Sequence, residues 1–238
     1  MRKLSPTKIR DDFITEVNRL LAFYTRALTG FRGLANEKSD SSLLAEQVFL
    51  FAAISFESVL SDLFFAYVNI DASKFMEAKE QKAKAIVGSE LGAWYESRIV
   101  LPGLKHIKAD QLRTLLDPRG YNIKFKNARN MVSQARKNLI FNHQLKYRAL
   151  TSQQRKFIDA TRCLRNFIAH RSESGFKSMT SSLASLSGGT FDSLSRGASA
   201  QENKVNSVGA YLKAKKGGSS RVDKYLRTMK DIVTLLGS

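Results

Sequence analysis

The sequence predicts an all-α protein. Apolar residues recur at three- and four-residue spacing over long stretches, as they do along one face of a helix. One run, Leu43 to Ile70, is apolar on most sides and reads as a core helix that other helices surround. Only three prolines interrupt 238 residues. A chain of this length supports one large domain, or one domain with an appendage, around a sizeable core.

The first helix is opened by Ser5 and Pro6, a good N-cap followed by the residue favoured at the first helical position. Ile9, Phe13, Val17, Leu20, Leu21, Tyr24 and Leu28 form its apolar stripe, which ends near Gly30. Residues 36–42 are polar and read as a loop. In the core helix, Glu57, Ser58, Ser61 and Asp62 share one face. That face is either a solvated strip or the place where Glu57 meets and orients an arginine elsewhere in the chain. The charges Glu46, Glu57 and Asp62 argue against a membrane span.

Residues 71–120 read as an excursion. Asp71 to Arg98 is expected to be helical in two pieces broken at Gly88 and Gly92, and Leu101-Pro102-Gly103 is a turn. Ala109 to Leu116 is a short helix stopped by Asp117-Pro118-Arg119-Gly120. Ser152 to Ala169 forms a later helix whose Phe157, Thr161, Leu164 and Ile168 face the core. Residues 172–220 change character: 20 of the 49 are Ser or Gly, and Leu183, Leu186, Phe191 and Leu194 are sparse. A flexible or loosely packed segment is expected over 176–220. Arg221 to Leu236 closes the fold as a helix with Val222, Leu226, Met229, Val233 and Leu236 inward.

The chain is strongly basic, with 39 Lys and Arg against 21 Asp and Glu, a net charge of +18. Such a surplus favours a polyanionic partner. It is unevenly spread. From Pro118 to Ile158 there are ten cations and no acid, among them Arg129, Arg136 and Lys137. A solvated helix face normally mixes signs to gain i,i+4 pairs. Tyr121, Phe125, Phe141 and Tyr147 are interleaved, and basic residues with aromatics suit single-stranded nucleic acid. Phe125, with Val132 and Leu139, also fits a core stripe, whereas Tyr121 and Tyr147 are open to either role. The single cysteine, Cys163, forms no intramolecular disulfide, and no Cys/His cluster has zinc spacing. No cofactor or metal is expected. The basic start runs into Asp11 and Asp12 without an apolar stretch, so neither a signal peptide nor a membrane anchor is expected, and a cytoplasmic location fits.

Chemistry concentrates at the end of the Ser152–Ala169 helix, in Cys163 to Arg171, CLRNFIAHR. Asn166 and His170 are four apart and share a side; Arg162 lies one turn earlier on that side. Arg165 is about 100° from Asn166, close enough for its long stem to reach the same opening. Histidine carries protons near neutral pH, and arginine holds two phosphate oxygens at once. RNA cleavage needs little more: the 2′-OH loses a proton, the 5′-oxygen gains one, and the phosphorane charge is stabilised. His106 and His143 lack such surroundings and read as exposed or core residues.

Arg165-Asn166-Phe167-Ile168-Ala169-His170 resembles the R-N-x-x-x-H motif of HEPN domains. The segment Ala45 to Leu63, AEQVFLFAAISFESVLSDL, is similar to the earlier long helix of bacterial HEPN proteins of the defence and toxin type. The resemblance covers roughly 43–70 and 151–175. It implies an antiparallel helical bundle over 1–175, with 71–120 a variable excursion and 221–238 packing on the bundle. It also implies a metal-independent endoribonuclease whose two protomers share one composite cleft, in phage defence or a toxin–antitoxin pair. Carried over, Arg165 contacts the scissile phosphate, Asn166 orients, and His170 transfers protons. Arg162, Arg171, Arg129, Arg136 and Lys137 are expected to bind RNA, with Glu57 an orienting acid. The expected partners are RNA, a second copy of the chain, and a neutralising antitoxin or defence-system protein. The alternative is a non-catalytic RNA- or DNA-binding protein, or a scaffold.

Overall fold

A computed structural model of the chain describes residues 4–116, 125–186, 198–199, 204–205, 207–216 and 218–238. Among the described residues the helices are α1 Pro6–Gly30, α2 Glu37–Ile70, α3 Ser73–Leu91, α4 Ala93–Glu96, α5 Ala109–Leu116, α6 Ala128–Asn138, α7 Phe141–Arg148, α8 Ser152–His170, α9 Glu173–Leu186, α10 Val208–Lys213 and α11 Arg221–Gly237. The strands β1 Ala198–Ser199 and β2 Lys204–Val205, and β3 Lys215–Lys216 and β4 Ser219–Ser220, form two short antiparallel pairs. The fold is all-α, as the periodicity predicts.

The chain divides into two compact units. One, which carries the motif, consists of Lys8–Leu60 and Leu150–Ser238; the other holds Ser61–Ala149 together with residues 4–7. The excursion expected over 71–120 lies inside the second.

In the motif unit, side-chain pairs fix the directions of the helices. Phe13 meets Phe56, and Ser55 donates to Glu16, so α1 and α2 run antiparallel. Glu57 pairs with Arg165 and Glu46 with Arg171, so α2 and α8 also run antiparallel. Phe176 stacks on Phe167 while Gln153 donates to the Leu186 carbonyl, which lays α9 back along α8. Tyr225 of α11 packs its ring against Phe49 of α2 and Phe157 of α8, at 5.1 and 5.3 Å between centroids. The inward residues expected on α11 are all buried, as are Phe157, Thr161, Leu164 and Ile168 of α8.

Three expectations need correction here. The polar residues expected to loop are helical from Glu37 onward, because Glu37 and Asp40 complement the positive end of a helix that the apolar run then buries. Residues 173–186, expected to be loose, form α9 with Met179, Leu183 and Leu186 buried. With Phe176 these residues complete a helical stripe, and packing outweighs the weak propensity of its serines. Residues 208–213 are likewise ordered as α10, with Tyr211 and Leu212 buried. Phe191 and Leu194 lie outside the described residues. Gly209 lets α10 approach α2: an added Cβ would stand 2.7 Å from both the Cβ and the carbonyl oxygen of Ser42.

In the second unit, α3 runs through Gly88, and the expected break occurs only at Gly92, whose φ of 90° suits glycine. Ala109–Leu116 is the short helix expected. Its presumed stop, 117–120, lies outside the described residues. The core gathers around the last turns of α2, where Phe64 meets Phe125 and Tyr147, and Tyr67 meets Tyr147 and His143. Buried Asn69 donates to the Ile107 carbonyl and accepts from the Leu4 N–H. Tyr147 is fully buried and so offers no face to a base; Tyr121 is outside the described residues.

One helix among the described residues, α2, is long and apolar enough to cross a membrane, and most of its apolar window is buried inside the protein. It is a core helix.

His143 supplies a pH-dependent element. Half-buried against the Tyr67 ring, it has its pKa pushed below the ordinary histidine value by burial and by Lys146, against the opposing pull of Asp71. The unfolded chain therefore binds the extra proton first. This stability is present above about pH 6.5, the unfolded value, and is lost as pH falls below it toward the folded pKa. Thermal unfolding between pH 7.5 and 5 should show the midpoint falling with acid, and His143→Phe should flatten that slope. An unchanged slope would remove His143 from the account.

Candidate active site

The helix α8 is well founded at its start. Thr151 caps it, its hydroxyl accepting from the Gln154 N–H while the Gln154 side chain returns to the Thr151 N–H. Such a capping box stabilises a helix by about 1 kcal/mol. At the far end, Arg171 turns out of the helix in the left-handed region, φ 49° and ψ 28°, the one non-glycine residue among those described with positive φ.

The four buried apolar-face residues of α8 fix the azimuth of everything else. At 100° per residue, Arg162, Asn166 and His170 lie opposite that face, and Arg165 lies on its flank. The structure follows this geometry: Asn166 is half-buried and His170 exposed, about one turn apart. Arg165 instead reaches sideways and forms an ion pair with Glu57 of α2. Of the two fates open to the Glu57 face, it therefore takes the second: Glu57 meets the motif arginine. Ser61, on the same strip, is buried, and the strip is not a solvated one.

The pair is partly shielded, with the Arg165 and Glu57 side chains 23% and 31% exposed. Glu57 Oε1 and Arg165 Nε are buried without hydrogen-bond partners. A guanidinium has five N–H donors, so Arg165 can hold Glu57 with one edge and still present donors to an incoming anion. Glu57 thus fixes the direction of Arg165 and leaves it capacity for phosphate.

A second pair, Glu46 with Arg171, joins the same two helices beyond the motif, and the Arg171 guanidinium lies 5.3 Å from the Phe167 ring centroid. Arg162 is half-buried, with its Nε lacking a hydrogen-bond partner. Arg162 and Arg171 thus belong to the same unit as the motif. Arg129, Arg136 and Lys137 are exposed on α6, in the other unit.

Two acids were not singled out by sequence. Glu46 lies three turns before Glu57 on α2, and its role depends on a tertiary contact that no local pattern announces. Asp159 lies on the Arg162–Asn166–His170 side of α8, half-buried, and is already engaged in an interaction. Its spacing to Arg162, Asn166 and His170, at i+3, i+7 and i+11, was legible in the sequence. No group of three or more potential metal-ligating side chains occurs among the described residues.

The strain at Arg171 can be measured. A non-glycine residue in the left-handed region costs about 1–2 kcal/mol. Arg171→Ala loses the Glu46 pair and keeps the strain, whereas Arg171→Gly loses the pair and relieves it. Chemical denaturation should place Arg171→Gly about 1 kcal/mol above Arg171→Ala. Equal stability would show the turn to be relaxed.

No known family model, curated protein or solved structure matches the chain.

Proposed function

We propose that the protein is a metal-independent endoribonuclease whose reaction centre is Arg165, Asn166 and His170. The observation that carries this is the division of labour at the end of α8. An arginine is aimed by a carboxylate from a neighbouring helix, and an exposed histidine sits one turn from an asparagine on the adjacent side.

The 2′-oxygen attacks phosphorus as a base removes its proton, and the bond to the 5′-oxygen breaks as an acid protonates it. The products are a 2′,3′-cyclic phosphate and a 5′-hydroxyl. Arg165 stabilises the phosphorane oxygens, and Glu57 keeps the guanidinium in place. Asn166 orients the ribose or the imidazole. His170 performs one proton transfer per chain. The second transfer needs another carrier, and the other two histidines are engaged elsewhere: His106 Nδ1 is 2.7 Å from the Asn69 carbonyl, and His143 packs on Tyr67. A second copy of the chain supplies it, giving a composite site in a homodimer. The resemblance to HEPN proteins of defence and toxin systems supports this arrangement, together with a cytoplasmic setting and a neutralising or defence partner.

The test is incubation of end-labelled RNAs with the protein in EDTA. Cleavage leaving cyclic or 3′-phosphate ends, and lost in His170→Ala, is the expected result; RNA that stays intact would reject the enzyme. The second reading is RNA binding without cleavage, favoured by the exposed cations Lys126, Arg129, Arg136, Lys137 and Arg148. It predicts that charge reversal at Arg129, Arg136 and Lys137 weakens binding and flattens its salt dependence.

A further inference from the structure

We propose that the motif unit contains a second anion site, a cavity between α1, the first turns of α2 and the 213–220 segment that binds a phosphorylated small molecule of nucleotide size. The cavity encloses about 450 Å³. That is the scale of small-molecule pockets. Three lysines line it: Lys38, Lys213 and Lys215.

Its polar groups are arranged for an acceptor-rich ligand. The Lys213 ammonium donates to the Lys38 carbonyl, which holds it in the wall; an ammonium has three donors, so others remain for a ligand. Tyr24 is 4% exposed and lines the cavity, and its hydroxyl, beside Ser220, has no hydrogen-bond partner of good geometry. A buried hydroxyl left unsatisfied costs about 1–3 kcal/mol, and a phosphate oxygen would satisfy it. Burial also raises the Tyr24 pKa, which keeps the phenol a donor.

The nearby carboxylates are committed to other groups. Glu37 accepts from the Gly33 N–H at 2.9 Å, and Asp223 is paired with Arg227 at 3.0 Å. The cations of the wall therefore outweigh its anions. Ser220 caps α11, so the positive end of a 17-residue helix also borders the cavity. The wall is rigid where it matters, because α10 is pressed against Ser42 at Gly209.

The experiment is isothermal titration of the full chain with AMP, ATP and inorganic phosphate, repeated on Lys213→Ala, Lys215→Ala, Tyr24→Phe and Arg165→Ala. Saturable binding of AMP or ATP is expected, at least tenfold tighter than inorganic phosphate. Either lysine variant should weaken it tenfold or more, Tyr24→Phe several-fold, and Arg165→Ala not at all. Circular dichroism and a melting curve confirm that each variant is folded. Lys215 is exposed, so its variant keeps the test decisive if Lys213→Ala unfolds. Flat titrations with both nucleotides would overturn the proposal. So would binding indifferent to the lysines, binding lost in Arg165→Ala, or phosphate binding as tightly as nucleotide. None of these outcomes depends on whether the protein cleaves RNA.

Discussion

Replacing His170 with alanine is expected to lower RNA cleavage by about 10²–10⁴-fold while leaving the unfolding transition in place. The first figure is the range that a positioned acid or base contributes. The second follows from exposure: His170 lies at the surface, where substitutions usually stay within about 0.5 kcal/mol. Arg165→Ala should differ. It removes the charge that stabilises the phosphorane, and it strands Glu57, one of whose oxygens is already buried without a partner. An unpaired, partly buried acceptor costs about 1–3 kcal/mol, so Arg165→Ala should lose stability along with activity. Glu57→Ala with Arg165→Ala should recover part of that stability and none of the activity. Initial cleavage rates and melting curves on the four proteins separate the cases. Full activity in His170→Ala would sink the proposed mechanism, and a large stability loss in it would make that histidine structural.

Much of this fold can be read from periodicity, and the exceptions have identifiable causes. The stripes of α1, α8 and α11 are strong because each buries one face and exposes the other. The start of α2 was misread because its first residues are polar, and a helix may begin in solvent before it enters the core. The α9 helix was missed because serine and glycine dominate its composition, although Phe176, Met179, Leu183 and Leu186 keep helical spacing. Composition describes a segment on average, whereas burial depends on a few positions. At the site, the relation of Arg162, Asn166 and His170 follows from one helix and needs no tertiary information. The Glu57–Arg165 pair spans two helices far apart in sequence, and only the antiparallel packing of α2 and α8 decides between it and a solvated strip. Tyr147 shows the opposite failure: an aromatic among cations suggested a stacking surface, but its ring lies in the core with Phe64 and Tyr67.

Arg221→Ala should be among the most destabilising substitutions in the chain, at about 2–5 kcal/mol. Arg221 is the largest fully buried side chain, 1% exposed. Its guanidinium donates to the Tyr211 carbonyl at 3.1 Å and lies 4.7 Å from the centroid of that ring. Truncation leaves both a cavity and a buried carbonyl short of a donor. Arg221→Met refills most of the volume without the donors and should lose less than half as much. If both variants lose the same amount, the hydrogen bond and not the packing dominates. The helix dipole does not explain the residue, since a cation at the first position of α11 is unfavourable there. The consequence for the site is indirect. Tyr211 and Tyr225 approach through their hydroxyls at 3.2 Å, and Tyr225 touches both Phe49 of α2 and Phe157 of α8. Loosening α11 therefore loosens the helices that hold Glu57 and Arg165. Arg221→Ala should lose cleavage at 37 °C and regain much of it on cooling, because the folded fraction rather than the chemistry has fallen. His170→Ala should stay inactive at every temperature.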